Sequence, residues 1–201
     1  MPPIISNPIH TITNNIMKKL SIFSFILISF CSQSQTYIKG NAATALALIP
    51  NVGIETSIGK KTTFQFDVLA SFWKSIDGKP YELYMFTAEY RYHFHKKNNG
   101  FYVGANAGFD SYNLTKWNYT DISVHQIGVG YRFGATVGYE KKLNDRFMLD
   151  FFAGGGNHQG FYHSYYIATG ERFELDKAVG RNKSGEWIPY RGGIMISYRL
   201  N

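Results

Sequence analysis

Apolar and polar residues alternate along most of this chain. In "IGVGYRFGATVGYE", residues 127–140, Ile127, Val129, Tyr131, Phe133, Ala135, Val137 and Tyr139 take every second position. Gly128, Gly130, Arg132, Gly134, Thr136, Gly138 and Glu140 lie between them. A period of two is that of a β-strand with two different faces. The same alternation predicts strands over residues 37–48, 52–58, 62–73, 83–94, 101–112, 127–140, 147–154 and 190–200. No long stretch has helical periodicity. After a first short turn, Ile49-Pro50-Asn51, short connections at 59–61, 95–100 and 143–145 alternate with longer ones at 74–81, 113–125 and 155–189. Alternating short and long connections characterise outer-membrane barrels, whose periplasmic turns are short and external loops long.

Which face points inward decides the class. One face carries Phe, Val, Ile, Leu, Ala and Tyr, with Tyr92, Tyr131, Tyr139 and Tyr198 near strand ends. Interfacial girdles favour tyrosine because its ring is apolar while its hydroxyl stays wet. The other face is rich in Gly, Ser and Thr and carries Glu55, Asp67, Glu89, Arg91, Asp110, Arg132, Glu140, Asp150, Arg191 and Arg199. Its bases read as arginine alone, whose planar fork suits carboxylates in a confined space. Glycine is a poor choice for a wet strand surface but leaves room for large side chains in a lumen. The expectation is an all-β, eight-stranded antiparallel up-and-down transmembrane barrel, with the aromatics toward lipid and a charge network filling the lumen. An eight-stranded barrel is just wide enough for side chains to fill.

The N-terminus adds an address. From Met17 the chain reads "MKKLSIFSFILISFCSQSQTY", a basic start followed by an apolar run over 20–30 and small polar residues. That is the layout of a cleavable signal peptide, and the run is shorter than the roughly 20 residues of a spanning helix. Residues 1–16 hold no Lys or Arg and read as an upstream extension, 17–35 as the signal peptide and 36–201 as the barrel domain. The single cysteine, Cys31, follows Phe30 rather than the small residue a lipidation signal needs. Export to the outer membrane of a Gram-negative cell is expected.

Composition sharpens this. Of 201 residues, 17% are aromatic and 17% charged, below the roughly 25% charged of an ordinary soluble domain. The formal net charge of +7 is scattered, without the basic cluster of a nucleic-acid footprint.

The segments "NVGIETSIGKK", "TTFQFDVLASFW", "AEYRYHF", "FYVGANAGFDSYN", "GYRFGATVGYEKKL" and "RGGIMISYRL" together resemble the bacterial envelope family called domain of unknown function 3575, and more widely the eight-stranded outer-membrane barrels. The likeness covers most of residues 36–201. It implies an outer-membrane barrel and supplies neither an activity nor catalytic residues.

Candidate chemistry is sparse. "GVGYRFG" is spaced G-x-G-x-x-x-G and no helix follows, so it is not a dinucleotide loop. His125, His158 and His163 could meet at a metal only if the loops converge, and no carboxylate spacing completes a site. Asp150, His163 and Ser164 supply triad residue types without a G-x-S-x-G motif. Glu89 and Arg91, two apart on one face, suit a lumen ion pair better than a proton relay. No cofactor, metal or catalytic residue is therefore expected. Phe161, Tyr162, Tyr165, Tyr166, Phe173 and Trp187 gather in the last long connection, where aromatic side chains suit recognition of an external protein or glycan.

The expected function is that of a monomeric, non-enzymatic outer-membrane barrel, in contact with lipid and not nucleic acid, with a structural or surface-recognition role. Three alternatives stay open: a narrow pore, a soluble calycin-like barrel holding an apolar ligand, and a membrane-embedded enzyme.

Overall fold

The computed structural model describes residues 35–115, 123–173 and 182–201. Residues 1–16 and the signal segment, apart from Gln35, lie outside the described residues, as does Trp117. The described chain forms β1 (Thr36–Asn41), a short helix α1 (Ala42–Leu46), β2 (Asn51–Ser57), β3 (Thr62–Ile76), β4 (Lys79–His93), β5 (Gly100–Leu114), β6 (Val124–Lys142), β7 (Phe147–Tyr166), the two-residue β8 (Arg172–Phe173) and β9 (Asn182–Arg199). Each long strand pairs antiparallel with the next. β6 joins β7, β7 joins β9 and β9 joins β1, so hydrogen bonds run in a ring through eight strands, with β8 appended to β7. Among the described residues no helix is long and apolar enough to cross a membrane.

Several elements differ from expectation. The run expected as a strand to Leu48 leaves the sheet at Asn41, whose side chain caps α1 by accepting from the Ala43 amide at 3.2 Å. The alanines that follow have high helix propensity and no branched side chain to hold a pleat. The connection expected over 74–81 is a two-residue turn, Asp77-Gly78, both at positive φ, closing the Ile76↔Lys79 pair. Asp-Gly is among the best sequences for that hairpin geometry. The stretch expected as a loop over 155–189 is largely strand: β7 continues to Tyr166 and β9 begins at Asn182.

One irregularity shapes the interior. Gly154 pairs with Arg191 and Gly155 with Pro189, so Tyr190 is an extra residue in β9. This bulge lets the successive side chains of Tyr190 and Arg191 both reach inward, a usual consequence of such an insertion. Pro189, with no amide hydrogen to donate, suits such a break in the ladder.

Candidate functional site: a buried charge network

Inside and outside are inverted relative to a water-soluble core. Arg132 is 2% exposed, whereas Val129, three residues earlier on the opposite face, is 45% exposed. Phe64, Phe66, Phe86, Tyr90, Phe101, Phe109, Phe133 and Phe151 all lie on the outer face and are exposed. The enclosed face carries acids, bases and amides.

The centre of the network is Lys39 on β1. Its Nζ donates to Glu55 Oε2 at 2.5 Å, Asp150 Oδ2 at 2.7 Å and Glu140 Oε1 at 3.3 Å. Arg91 reaches the same three oxygens through Nη1, at 3.1, 2.9 and 3.3 Å respectively. Its other edge grips Glu89 through a single oxygen, Oε2, which accepts from Nε at 3.1 Å and Nη2 at 2.9 Å. Tyr102 closes one side: its hydroxyl donates to Asp150 Oδ1 at 2.9 Å and its ring lies 4.5 Å from the Arg91 guanidinium carbon. Every charged side chain in this group is fully buried.

Glu89 carries the network toward the opposite end. Arg191 Nη2 lies 3.2 Å from Glu89 Oε2 and 3.0 Å from Asp67 Oδ2. Asp67 also accepts from Gln65 at 2.8 Å and Asn51 at 3.3 Å. Beside Arg191 is a cavity of about 230 Å³, bounded by Asp67, Met85, Phe152 and Tyr190 among others. A separate pair lies beyond it: Arg132 Nε donates to Asp110 Oδ1 at 2.6 Å, and His158 Nε2 is 3.0 Å from Asp110 Oδ2. The Arg132 guanidinium lies over the Tyr190 ring at 4.9 Å.

Glycines make room for these groups. A Cβ at Gly138 would lie 2.5 Å from the Tyr102 ring, and one at Gly108 would lie 2.8 Å from Arg132 Nη2.

Nine of the ten residues expected in the network thus lie in the interior and are paired. Arg199 does not join them: it sits at the chain end, its Nε donating to the Asn201 carbonyl at 2.5 Å. Conversely, Lys39, His93, Tyr102 and His158 belong to the interior and were not among those expected. The reading that strand bases are all arginine is corrected by Lys39. Its signal was present in "TYIKGN", where Tyr37, Lys39 and Asn41 alternate with Ile38 and Gly40.

The other candidates separate. His158 faces inward, whereas His125 and His163 lie on the outward-facing parity of β6 and β7, with His125 Nδ1 2.6 Å from Asn113 Oδ1. Asp150 and Ser164 are far apart on one strand, on the order of 45 Å at about 3.3 Å per residue. No triad forms. The aromatics expected in one external segment also disperse. Tyr162 is buried within, Tyr166 packs edge-on against Phe173 at 5.4 Å, and Trp187, 76% exposed, meets Phe133 edge-on at 6.3 Å halfway along β6.

These features define a class of protein: a closed antiparallel sheet of eight strands with a charged interior and an aromatic exterior. The chain belongs to the DUF3575 family, described as protein of unknown function, whose profile matches residues 20–200. Neither a curated protein nor a solved structure matches it.

Proposed function

We propose that this chain is an eight-stranded transmembrane β-barrel of the outer membrane, non-enzymatic, with a plugged interior and a structural or surface-recognition role. The observation that carries this reading is the inversion around the ring, with acids and bases inside and exposed Phe, Ile, Val and Tyr outside. A contiguous apolar surface of that extent needs a partner, and a bilayer is one that can surround a ring on all sides. Where β1 and β2 complete the ring, the backbone is also satisfied without an open edge, which lipid requires. The pairs Tyr92–Phe94, Phe101–Tyr139 and Phe147–Tyr198, 5.9, 4.8 and 5.3 Å between ring centroids, cluster near the short-turn end, where an interfacial girdle would lie.

A soluble barrel with an apolar pocket fits less well, because its aromatic face would point inward. The side chains from Lys39 to Asp150 fill the ring at one end, which favours a plug over a pore. The turns at 59–61, 95–100 and 143–145 then face the periplasm and the tip around Ile167–Gly170 faces outward. The deciding experiment is membrane fractionation joined to gel mobility. The protein should sediment with the outer membrane and run differently on gels when unheated and when boiled. Recovery in the soluble periplasmic fraction would refute the reading.

A further inference from the structure

Among the buried polar atoms of the network that lack a hydrogen-bond partner, two face each other beside His93. Thr63 has a single hydroxyl proton, and Glu55 Oε1, a carboxylate oxygen 2.5 Å away, takes it. Thr63 Oγ1 must therefore accept from His93 Nε2, which lies 3.1 Å away. That fixes the hydrogen of a neutral imidazole on Nε2 and leaves Nδ1 as a bare lone pair. Nδ1 faces Glu140 Oε2 at 3.6 Å, and neither atom has a hydrogen-bond partner although both are buried. Two acceptors thus face each other with nothing between them. The cations do not fill the gap: Lys39 and Arg91 take Glu55 by Oε2 and Glu140 by Oε1, leaving Glu140 Oε2 toward His93 Nδ1 and Glu55 Oε1 4.0 Å from Nε2.

Charge points the same way. The connected group holds five carboxylates, Glu55, Asp67, Glu89, Glu140 and Asp150, against the three cations Lys39, Arg91 and Arg191. With all five carboxylates ionised, the excess is two negative charges in an enclosed space, where uncompensated charge is costly. One divalent cation would cancel it.

We propose that His93, Glu140 and Glu55 form a site for a divalent transition-metal ion of the zinc type. One ligand atom from each lies within 4.8 Å of the others. Bonds of about 2.0–2.1 Å in a tetrahedral arrangement set adjacent ligand atoms roughly 3.4 Å apart, close to the His93–Glu140 separation. An imidazole with two carboxylates favours zinc, or iron or manganese, over calcium and magnesium, which prefer oxygen alone. Enclosure implies that the ion is taken up as the chain folds and is held structurally, with Lys39 and Arg91 fixing the carboxylates as an outer shell.

The test uses the full chain, expressed, purified in detergent and refolded from urea with and without zinc chloride. Metal is measured by mass spectrometry after gel filtration, and folding of the same sample by the unheated gel shift. Folded wild type should retain stoichiometric zinc, and cobalt in its place should give visible ligand-field absorption. His93→Asn and Glu140→Gln should lose the metal, whereas Glu171→Gln, in an exposed turn, should keep it. Folded wild type that retains neither zinc nor cobalt would overturn the site and assign the gap to a proton. Retention by folded Glu140→Gln equal to wild type would overturn it as well. Should a variant fail to fold, the cobalt spectrum of wild type decides alone.

Discussion

Replacing Lys39 by methionine removes one charge and little volume, since the thioether follows the path of the lysine stem. The ammonium lost is the one that contacts Glu55, Glu140 and Asp150 together, with no part of the side chain exposed. Removing one partner of a buried pair costs about 3–5 kcal/mol, because the remaining charge stays enclosed. Arg91 still touches all three carboxylates, at 2.9 to 3.3 Å. The expected loss for Lys39→Met therefore lies toward the lower end, about 3 kcal/mol. Urea unfolding in detergent micelles, followed by tryptophan fluorescence and extrapolated linearly, reads this directly. The double variant Lys39→Met/Asp150→Asn removes one negative charge along with the positive one. It should recover on the order of 1–3 kcal/mol relative to additivity, as neighbours in one network do. A loss below about 1 kcal/mol for Lys39→Met, or strict additivity in the double variant, would refute the view that Lys39 holds the network together.

Arg132→Leu strips Asp110 of its 2.6 Å partner and should cost about 3–5 kcal/mol by the same unfolding assay. Val129→Arg, on the outer face, should cost roughly 2–4 kcal/mol in a bilayer if that position lies at its midplane, and much less in a soluble fold. Gly138→Val drives a side chain into the Tyr102 ring and should cost about 1–3 kcal/mol, whereas the same change at Gly78, a turn position with nothing near, should leave the interior intact. Cysteines placed at Ala168 and Lys96, both exposed, should label differently with an impermeant reagent on intact cells; equal labelling would sink the proposed orientation. Planar-bilayer recordings should show no steady large conductance, and reproducible large channels would favour the pore.

Much of the fold was legible because the period of two is simple and survives along entire strands. From Phe64 to Phe72, and from Ile127 to Tyr139, one parity faces out and the other in, as the alternation predicts. What sequence hides is where the alternation starts, ends or slips. Asn41 is both the last inward residue of β1 and a helix cap, so one residue serves two patterns. Asp77-Gly78 is a hairpin signal, but the sequence around it does not show that β3 and β4 run on as far as Ile76 and Lys79. At Tyr190-Arg191 the bulge sets two consecutive residues on one face, which no fixed period can announce. The network was legible as a set of charges on one parity, not as contacts. Pairing depends on which strands close the ring, and Lys39 meets Glu140 and Asp150 only because β1 returns to lie beside β9.

That closure has a consequence for how the ring comes together. β6 and β7 are joined along their whole length, from Val124↔Tyr166 to Lys142↔Met148, and are neighbours in sequence. β1 meets β9 only from Tyr37↔Arg199 to Asn41↔Met195, across nearly the full span of the described chain. This seam, no longer than the one between β1 and β2, joins the most distant segments, and loop-closure entropy makes it the last to zip. A chain pulled from its ends should open first along this line. Lys39 sits in the seam itself, opposite Ser197. Its grip on carboxylates from β2, β6 and β7 makes it the latch that turns a curled sheet into a ring.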